Sequence, residues 1–187
     1  MPTLVVMDLV KTSKRMAYVL RHRPDAIGIT LTPDGWVGVD DLLRALAKYG
    51  TRITRAELEA VVARNDKRRF ILDGDRIRAN QGHSVAVDLG LAPVTPPRTL
   101  FHGTARHNLD SIFLEGLIKG RRHHVHLSAD ADTAIKVGRR HGAPVVLAVD
   151  TAAMIAENLL FYRSDNGVWL TDHIPPRHLT VVRDYVS

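Results

Sequence analysis

The chain has 187 residues, 45% of them apolar, which is enough for one large or two small domains with a core that needs no staples. It contains no cysteine, so disulfides, thiolate catalysis and sulfur-ligated zinc are excluded, and no apolar run approaches the ~20 residues of a membrane span. Twenty-six Lys and Arg against twenty Asp and Glu leave a net charge of +6, which favours polyanionic partners.

From the N-terminus, Met1 to Val10 carries an acidic Asp8 and no cationic stretch, so it does not read as a signal peptide and a cytoplasmic protein is expected. Apolar residues at helical spacing run from Leu9 to Leu20 and stop near Arg23-Pro24. Pro33-Asp34-Gly35 is a turn signal, Val39 to Lys48 a second amphipathic helix, and Arg55 to Arg64 a third. Thr54 is placed to cap that third helix, with Glu57 completing a capping box. Two short apolar-alternating runs then flank Asp73-Gly74, the signature of a tight hairpin. Three helices followed by a β-hairpin is the plan of a winged-helix lobe, expected over residues 1–92.

Ala92 to Arg98 holds three prolines in seven residues, a stiff extended connector assigned to residues 93–99. Basic residues number fifteen before Ala92 and eleven after it, against eleven and nine acidic ones, so the halves carry +4 and +2. Beyond the joint, strands are expected at Leu100-Phe101, Val125 to Leu127, Val145 to Val149, Val168 to Leu170 and Leu179 to Arg183. Helices are expected at Asn108 to Glu115 and Asp130 to Arg140, giving a small α+β lobe over residues 100–187.

Three arginine-bearing clusters stand far apart in the chain: Arg21-His22-Arg23, Lys67-Arg68-Arg69 and Gly138-Arg139-Arg140-His141. Guanidinium forks from distant segments are what a fold uses to grip a phosphate, so a phosphorylated substrate is the leading idea. Scattered surface arginine is the alternative for any one cluster. In the second half, His102-Gly103-Thr104 follows a short strand, and Gly103 would allow close approach of the backbone to a ligand. If Val125 and its neighbours form a strand, His124, His126 and Ser128 share one face while Val125 and Leu127 face the core. Ten histidines keep a nitrogen-ligated metal formally open, but no spacing such as HExxH is present, and no metal is expected.

Taken together, these stretches resemble the NAD⁺-dependent RNA 2′-phosphotransferase family, enzymes that remove a 2′-phosphate from tRNA splice junctions. The likeness is carried by Leu20-Arg21-His22, Gly35-Trp36-Val37, Lys67-Arg68-Arg69-Phe70, Ile77 to Ser84, His102-Gly103-Thr104, His124 to Ser128, Val137 to Gly142 and Asn166 to Thr171. It implies an α+β protein: an N-terminal winged-helix-like lobe and a C-terminal ADP-ribosyltransferase-like lobe with a split β-sheet, the active site in the cleft. It also implies a catalytic Arg-His-Arg-Arg set, matched here by Arg21, His22, Arg69 and Arg140, with Arg68 and Arg139 as the adjacent alternatives. His102, Gly103, Thr104, His126, Ser128 and Asn166 are then candidates to hold NAD⁺, a co-substrate that is consumed. Lys67, Arg76, Arg78, Gln81, His83 and Ser84 are candidates to contact an RNA carrying the 2′-phosphate.

The reaction implied has two steps. The 2′-phosphate attacks the anomeric carbon as nicotinamide leaves, and the ribose 2″-hydroxyl then attacks phosphorus. The products are RNA with a free 2′-hydroxyl and ADP-ribose 1″,2″-cyclic phosphate. Protein-modifying relatives of the fold use a late glutamate to activate a poor acceptor, whereas the only glutamate after Glu115 is Glu157, outside the last strand. A phosphate monoester needs less help, because its second pKa is about 6. Two other readings remain: an ADP-ribosyltransferase that caps phosphorylated RNA or DNA ends and stops after the first step, and a non-catalytic winged-helix regulator that senses NAD⁺. A monomer is expected.

Overall fold

A computed structural model describes residues 8–182; Arg183, the last residue of the expected final strand, and most of the segment read for a leader lie outside it. The chain divides into two compact units, Met1–Gly90 and Leu91–Ser187.

In the first unit the order is α1 (Leu9–Arg21), β1 (Val37–Gly38), α2 (Val39–Lys48), α3 (Arg55–Ala63), β2 (Phe70–Asp73) and β3 (Arg76–Ala79). Each helix starts where a side chain or sequence bias meets the exposed N–H groups of its first turn. The Asp8 carboxylate accepts from Lys11 N at 2.9 Å at the head of α1. At α3 the expected capping box is present, Thr54 N–H donating to Glu57 Oε2 at 2.7 Å and Glu57 N–H to Thr54 Oγ1 at 3.2 Å. Acidic Asp40 and Asp41 open α2 and Lys48 closes it, in line with the helix dipole. Met16, Leu20, Leu42, Leu46 and Leu58 are fully enclosed and pack on Ile77, which sits in the central strand of a sheet ordered β1-β3-β2. Burying each such side chain contributes roughly 1.5–3 kcal/mol.

The hairpin turn departs from the expected Asp73-Gly74. Asp73 pairs with Arg76, so the two loop residues are Gly74 and Asp75. Gly74 has φ 56, while Asp75 is not among the described residues with positive φ. A glycine alone at the first central position is the II′ pattern, which places the turn one residue later than the Asp-Gly pair suggests.

The second unit contains β4 (Thr99–Ala105), α4 (Leu109–Glu115), β5 (Leu117–Ile118), β6 (Val125–Leu127), α5 (Ala131–Gly138), β7 (Pro144–Asp150), α6 (Thr151–Ala156), β8 (Phe161–Arg163), β9 (Trp169–Thr171), β10 (His173–Ile174) and β11 (Leu179–Val181). Two three-stranded antiparallel sheets, β11-β7-β4 and β6-β9-β8, meet at a single bridge between Phe101 and Ser128, and β5 pairs with β10 alone. Strand β7 is central in its sheet: Val145, Val146, Leu147 and Val149 have no exposed surface. The expected connector is not a free spacer. Val94 N–H donates to Phe161 O at 2.8 Å, the Thr151 hydroxyl bonds Pro97 O, and Thr99 already belongs to β4. The prolines cannot donate into a ladder, so this stretch lies along the edge of β8 rather than joining the sheet fully. Short elements without strong periodicity (β1, β5, β8, β10 and α6) were not expected from the sequence.

Helix α5 lies directly on the backbone of β4. A methyl group on Gly103 would come within 1.7 Å of Ala134 O, and one on Gly138 within 2.7 Å of Thr104 O. Gly103 pairs with Val146, so α5 covers the face these two residues share. The bare Cα of Gly103 therefore meets a helix, not the ligand that the sequence suggested. Among the described residues no helix is long and apolar enough to cross a membrane. Gly103→Ala is expected to destabilise the protein by about 3 kcal/mol, since a rigid backbone cannot move aside as a side chain would; thermal melting of the variant checks this.

Candidate active site

The C-terminus of α1 delivers Arg21 and makes His22 its C-cap, with His22 N–H donating to Tyr18 O at 2.9 Å. Arg21 and His22 are half-buried, whereas Arg23 is exposed and held by Asp25 in a bidentate pair at 3.0 Å. That pairing takes Arg23 out of the cluster and leaves Arg21 and His22.

Arg69 enters from the loop between α3 and β2. Arg68, just before it, has a left-handed backbone with φ 41, a conformation costing a non-glycine residue about 1–2 kcal/mol. Two bonds hold it there: Arg68 N–H donates to Asn65 O at 2.7 Å, and the Asn80 side-chain amide donates to Arg68 O. The kink leaves the Arg68 side chain exposed and turns Arg69 inward, where Nη1 donates to Asn65 Oδ1 at 3.2 Å and to Ser13 Oγ at 3.3 Å. Of the two adjacent arginines, Arg69 is the one the fold orients.

One segment braces both arginine positions. Asn80 N–H donates to Arg69 O at 2.9 Å, and four residues on Ser84 N–H donates to Arg21 O at 2.8 Å. Four residues of chain span at most about 14 Å, so the main chains of Arg21 and Arg69 are tied to neighbouring points of one short segment. The Ser84 hydroxyl also lies 2.9 Å from His22 Nδ1, which sets the plane of the imidazole. His83 between them is only 1% exposed, so this supposed RNA contact is enclosed by protein. Gln81 is half-buried, with an Oε1 that makes no protein hydrogen bond. Arg76 and Arg78 both stack over the Trp36 ring, at 4.5 and 4.8 Å. Arg76 is further tied to Asp73 at 2.7 Å and Arg78 to Asp34 O at 3.2 Å, while Lys67 is exposed.

In the second unit the β4–β6 bridge brings His102, His126 and Ser128 together. His102 Nδ1–H donates to His126 O at 3.0 Å, and burial, its largest influence, holds the ring below the ordinary histidine pKa. His102 is therefore a neutral imidazole with Nε2 as its acceptor. His126 Nδ1 accepts from Arg122 Nη1 at 2.7 Å. The alternation across β6 is as expected, with Val125 and Leu127 in the core and His124, His126 and Ser128 half-buried. Thr104 is buried and its hydroxyl accepts from Asn108 at 3.2 Å. Asn166 occupies the β8–β9 turn, where its Oδ1 accepts from Ser164 at 2.7 Å; Trp169 and Leu170 are core residues. Arg139 is the C-cap of α5, and Arg140 follows it with its N–H on Val137 O at 3.2 Å; both side chains are exposed.

Residues missed from the sequence, Ser13, Asn65 and Asn80, are all buried and polar, and each contacts an arginine or its neighbour. Asn80 lies within the Ile77 to Ser84 stretch but is given no role there, while Ser13 and Asn65 offer only a polar residue among apolar neighbours. Among the described residues no group of three or more His, Asp or Glu side chains could hold a metal ion. A groove of about 270 Å³ between the 93–96 segment and Asn158–Phe161 contains none of the candidate residues.

A family model described as RNA 2′-phosphotransferase, Tpt1 / KptA family, matches residues 7–173. Proteins described as probable RNA 2′-phosphotransferase are similar along nearly their whole length. One from Nostoc punctiforme is 58% identical over 173 residues, covering 91% of this chain and 96% of its own. One from Agrobacterium fabrum is 57% identical over 175 residues, covering 92% and 94%. One from Streptomyces griseus is 54% identical over 179 residues, covering 91% and 95%. These matches define a phosphate-transferring enzyme. The chain belongs to the RNA 2′-phosphotransferase family.

Glu157, the single late glutamate, caps α6 and binds Arg177 Nε at 3.2 Å and His178 Nε2 at 3.1 Å. The Arg177 contact first, then His178, pulls its carboxyl from 4.5 to about 2. A lowered folded-state pKa stabilises the protein above the unfolded value and ceases to do so as pH falls through the folded one. Glu157→Gln is therefore expected to lower the melting temperature at neutral pH, with the gap from the native protein closing as pH falls from 4.5 to about 2. A gap that stays constant over that range would refute the coupling.

Proposed function

We propose that the enzyme acts on RNA carrying an internal 2′-phosphate with NAD⁺ as co-substrate, using Arg21, His22, Arg69 and Arg140 on the phosphate. The observation that carries this is the Asn80–Ser84 segment, whose two backbone bonds hold Arg69 and the Arg21-His22 corner together. Two guanidinium groups from separate elements, one beside an oriented imidazole, suit a phosphate dianion. Arg140, exposed after α5, is the fourth member carried by the family pattern.

The residues of the second unit fit NAD⁺ by their chemistry. His102 is neutral with a fixed tautomer, and Ser128 and Asn166 add an uncharged hydroxyl and amide, the donors and acceptors that ribose hydroxyls and a carboxamide need. His102, His126, Ser128 and Asn166 would hold it, with Gly103 and Thr104 shaping the strand beneath. When bound, NAD⁺ supplies an electrophilic anomeric carbon with nicotinamide as leaving group. In the first step the chain has little proton abstraction to perform, because the attacking phosphate is already largely ionised at neutral pH; the 2″-hydroxyl proton leaves only in the second. Its arginines hold and orient that phosphate in the first step and offset charge on its oxygens in the second. His22, its ring set by Ser84, donates a hydrogen bond to the phosphate or the proton to the departing RNA 2′-oxygen. Lys67 and Ser84, both exposed, are the candidates best placed to meet the RNA backbone; Arg76 and Arg78 build the Trp36 stack beneath it.

The first unit, with three helices and a sheet ordered β1-β3-β2, supports a winged-helix-like reading. Two three-stranded sheets joined by one bridge support an ADP-ribosyltransferase-like reading of the second.

Incubation with a short RNA bearing one internal 2′-phosphate, with NAD⁺ and a chelator, is expected to release nicotinamide and a cyclic-phosphate ADP-ribose and leave 2′-hydroxyl RNA. RNA that gains ADP-ribose and never resolves would point instead to end-capping chemistry, and no turnover of NAD⁺ to a binding protein. Within the active enzyme, Arg21→Ala, Arg69→Ala and Arg140→Ala are each expected to slow the overall reaction by roughly a hundredfold or more.

A further inference from the structure

The loop that presents Arg69 is tied to α1 by two buried polar side chains that the reaction itself does not require. Ser13 lies on the inner face of α1 among Met16, Ala17 and Leu20, and is 5% exposed. Asn65, just beyond the C-cap of α3, is 8% exposed. A serine on an apolar helix face needs a reason, because alanine would pack equally well and would have no hydroxyl to satisfy. Here the hydroxyl accepts from Asn65 Nδ2 at 2.6 Å and from Arg69 Nη1 at 3.3 Å. The Asn65 carboxamide completes a three-membered ring of bonds, since its Oδ1 accepts from Arg69 Nη1 at 3.2 Å while also taking Lys67 N–H at 3.2 Å. The main chain of Asn65 is engaged as well, through Arg68 N–H at 2.7 Å.

We infer that Ser13 and Asn65 are positioning residues for the transfer reaction: by holding Nη1 of Arg69 they fix the guanidinium plane that the reaction uses. The inference rests on the assignment of Arg69 to the phosphate. A long arginine side chain otherwise loses considerable rotamer freedom when it binds, and two buried acceptors on one terminal nitrogen remove that loss beforehand. The main-chain carbonyl at position 65, which any residue would supply, accepts from Arg68 N–H and supports the left-handed turn that directs Arg69 inward and Arg68 outward, so the substitution at Asn65 isolates its side chain.

The test is a double-mutant cycle read by single-turnover transfer on 2′-phosphorylated RNA, with thermal melting recorded for every variant. Asn65→Leu is expected to slow transfer by roughly tenfold to a hundredfold, the effect of releasing a charge-assisted hydrogen bond. Ser13→Ala, which leaves the Asn65 bonds to the loop in place, is expected to slow it by a smaller factor, with a lower melting temperature because Asn65 Nδ2 loses its buried acceptor. In an Arg69→Ala background neither substitution should change the remaining rate by more than about twofold, because the residue they act through is gone. If each costs the same factor in both backgrounds, or if neither affects the native enzyme while Arg69→Ala does, the positioning role is overturned and Arg69 keeps its assignment. If Arg69→Ala itself transfers phosphate at the native rate, the assignment of Arg69 falls and the inference with it.

Discussion

The first unit depends on one five-residue strap. After β3 leaves the sheet, Asn80 bonds the carbonyl of Arg69 and Ser84 bonds the carbonyl of Arg21, so elements from the two ends of the unit are fastened to a single stretch of backbone. Backbone bonds of this kind do not depend on side-chain identity, but they fix where the side chains begin. The Asn80 amide adds a bond to Arg68 O, and the Ser84 hydroxyl one to His22. The side chains of Arg21, His22 and Arg69 thus leave from a main chain that is held at defined points. Much of the catalytic advantage that positioned charges supply comes from such preorganisation, because groups already oriented need not reorganise as the reaction proceeds.

The second unit solves a different problem, that of keeping polar side chains beside an apolar core. Strand β4 does so with its two faces. Leu100 and His102 look toward the second sheet, where Leu100 joins the core and His102 finds the carbonyl of His126. Gly103 on the opposite face allows α5 to approach backbone to backbone. Glu157, Arg177 and His178 bond one another and none of the candidate residues, whereas Arg122 reaches His126 Nδ1. The late glutamate serves as a structural ion-pair partner, consistent with an acceptor that brings its own negative charge.

The helices were legible from the sequence because local rules govern them. Leu9, Val39 and Arg55 begin helices where caps and periodicity place them, and the capping box at Thr54 and Glu57 formed as written. Strand β7 was legible from its apolar run, and the three-residue β6 from the alternation of its flanking residues. The turn at Gly74 shifted by a residue because loop position is set by pairing across the sheet, which Asp73 and Arg76 decide together. Strands of two or three residues, such as β1, β5, β8 and β10, carry too little pattern to announce themselves, since their partners lie far along the chain.

Residue identity alone determined the chemistry on offer: no thiols, many guanidinium groups, and histidine, hydroxyl and amide side chains at the ends of strands. It also determined the family, because the order of short motifs survives without any knowledge of shape. Only the tertiary structure decided between neighbours. Arg69 was separated from Arg68 by a left-handed turn, Arg21 from Arg23 by the pull of Asp25, and His83 was drawn inside while Ser84 stayed at the surface. Such choices depend on which way a side chain points. That direction is set by hydrogen bonds between residues that the sequence keeps far apart, from Ser13 to Asn65 and from His22 to Ser84.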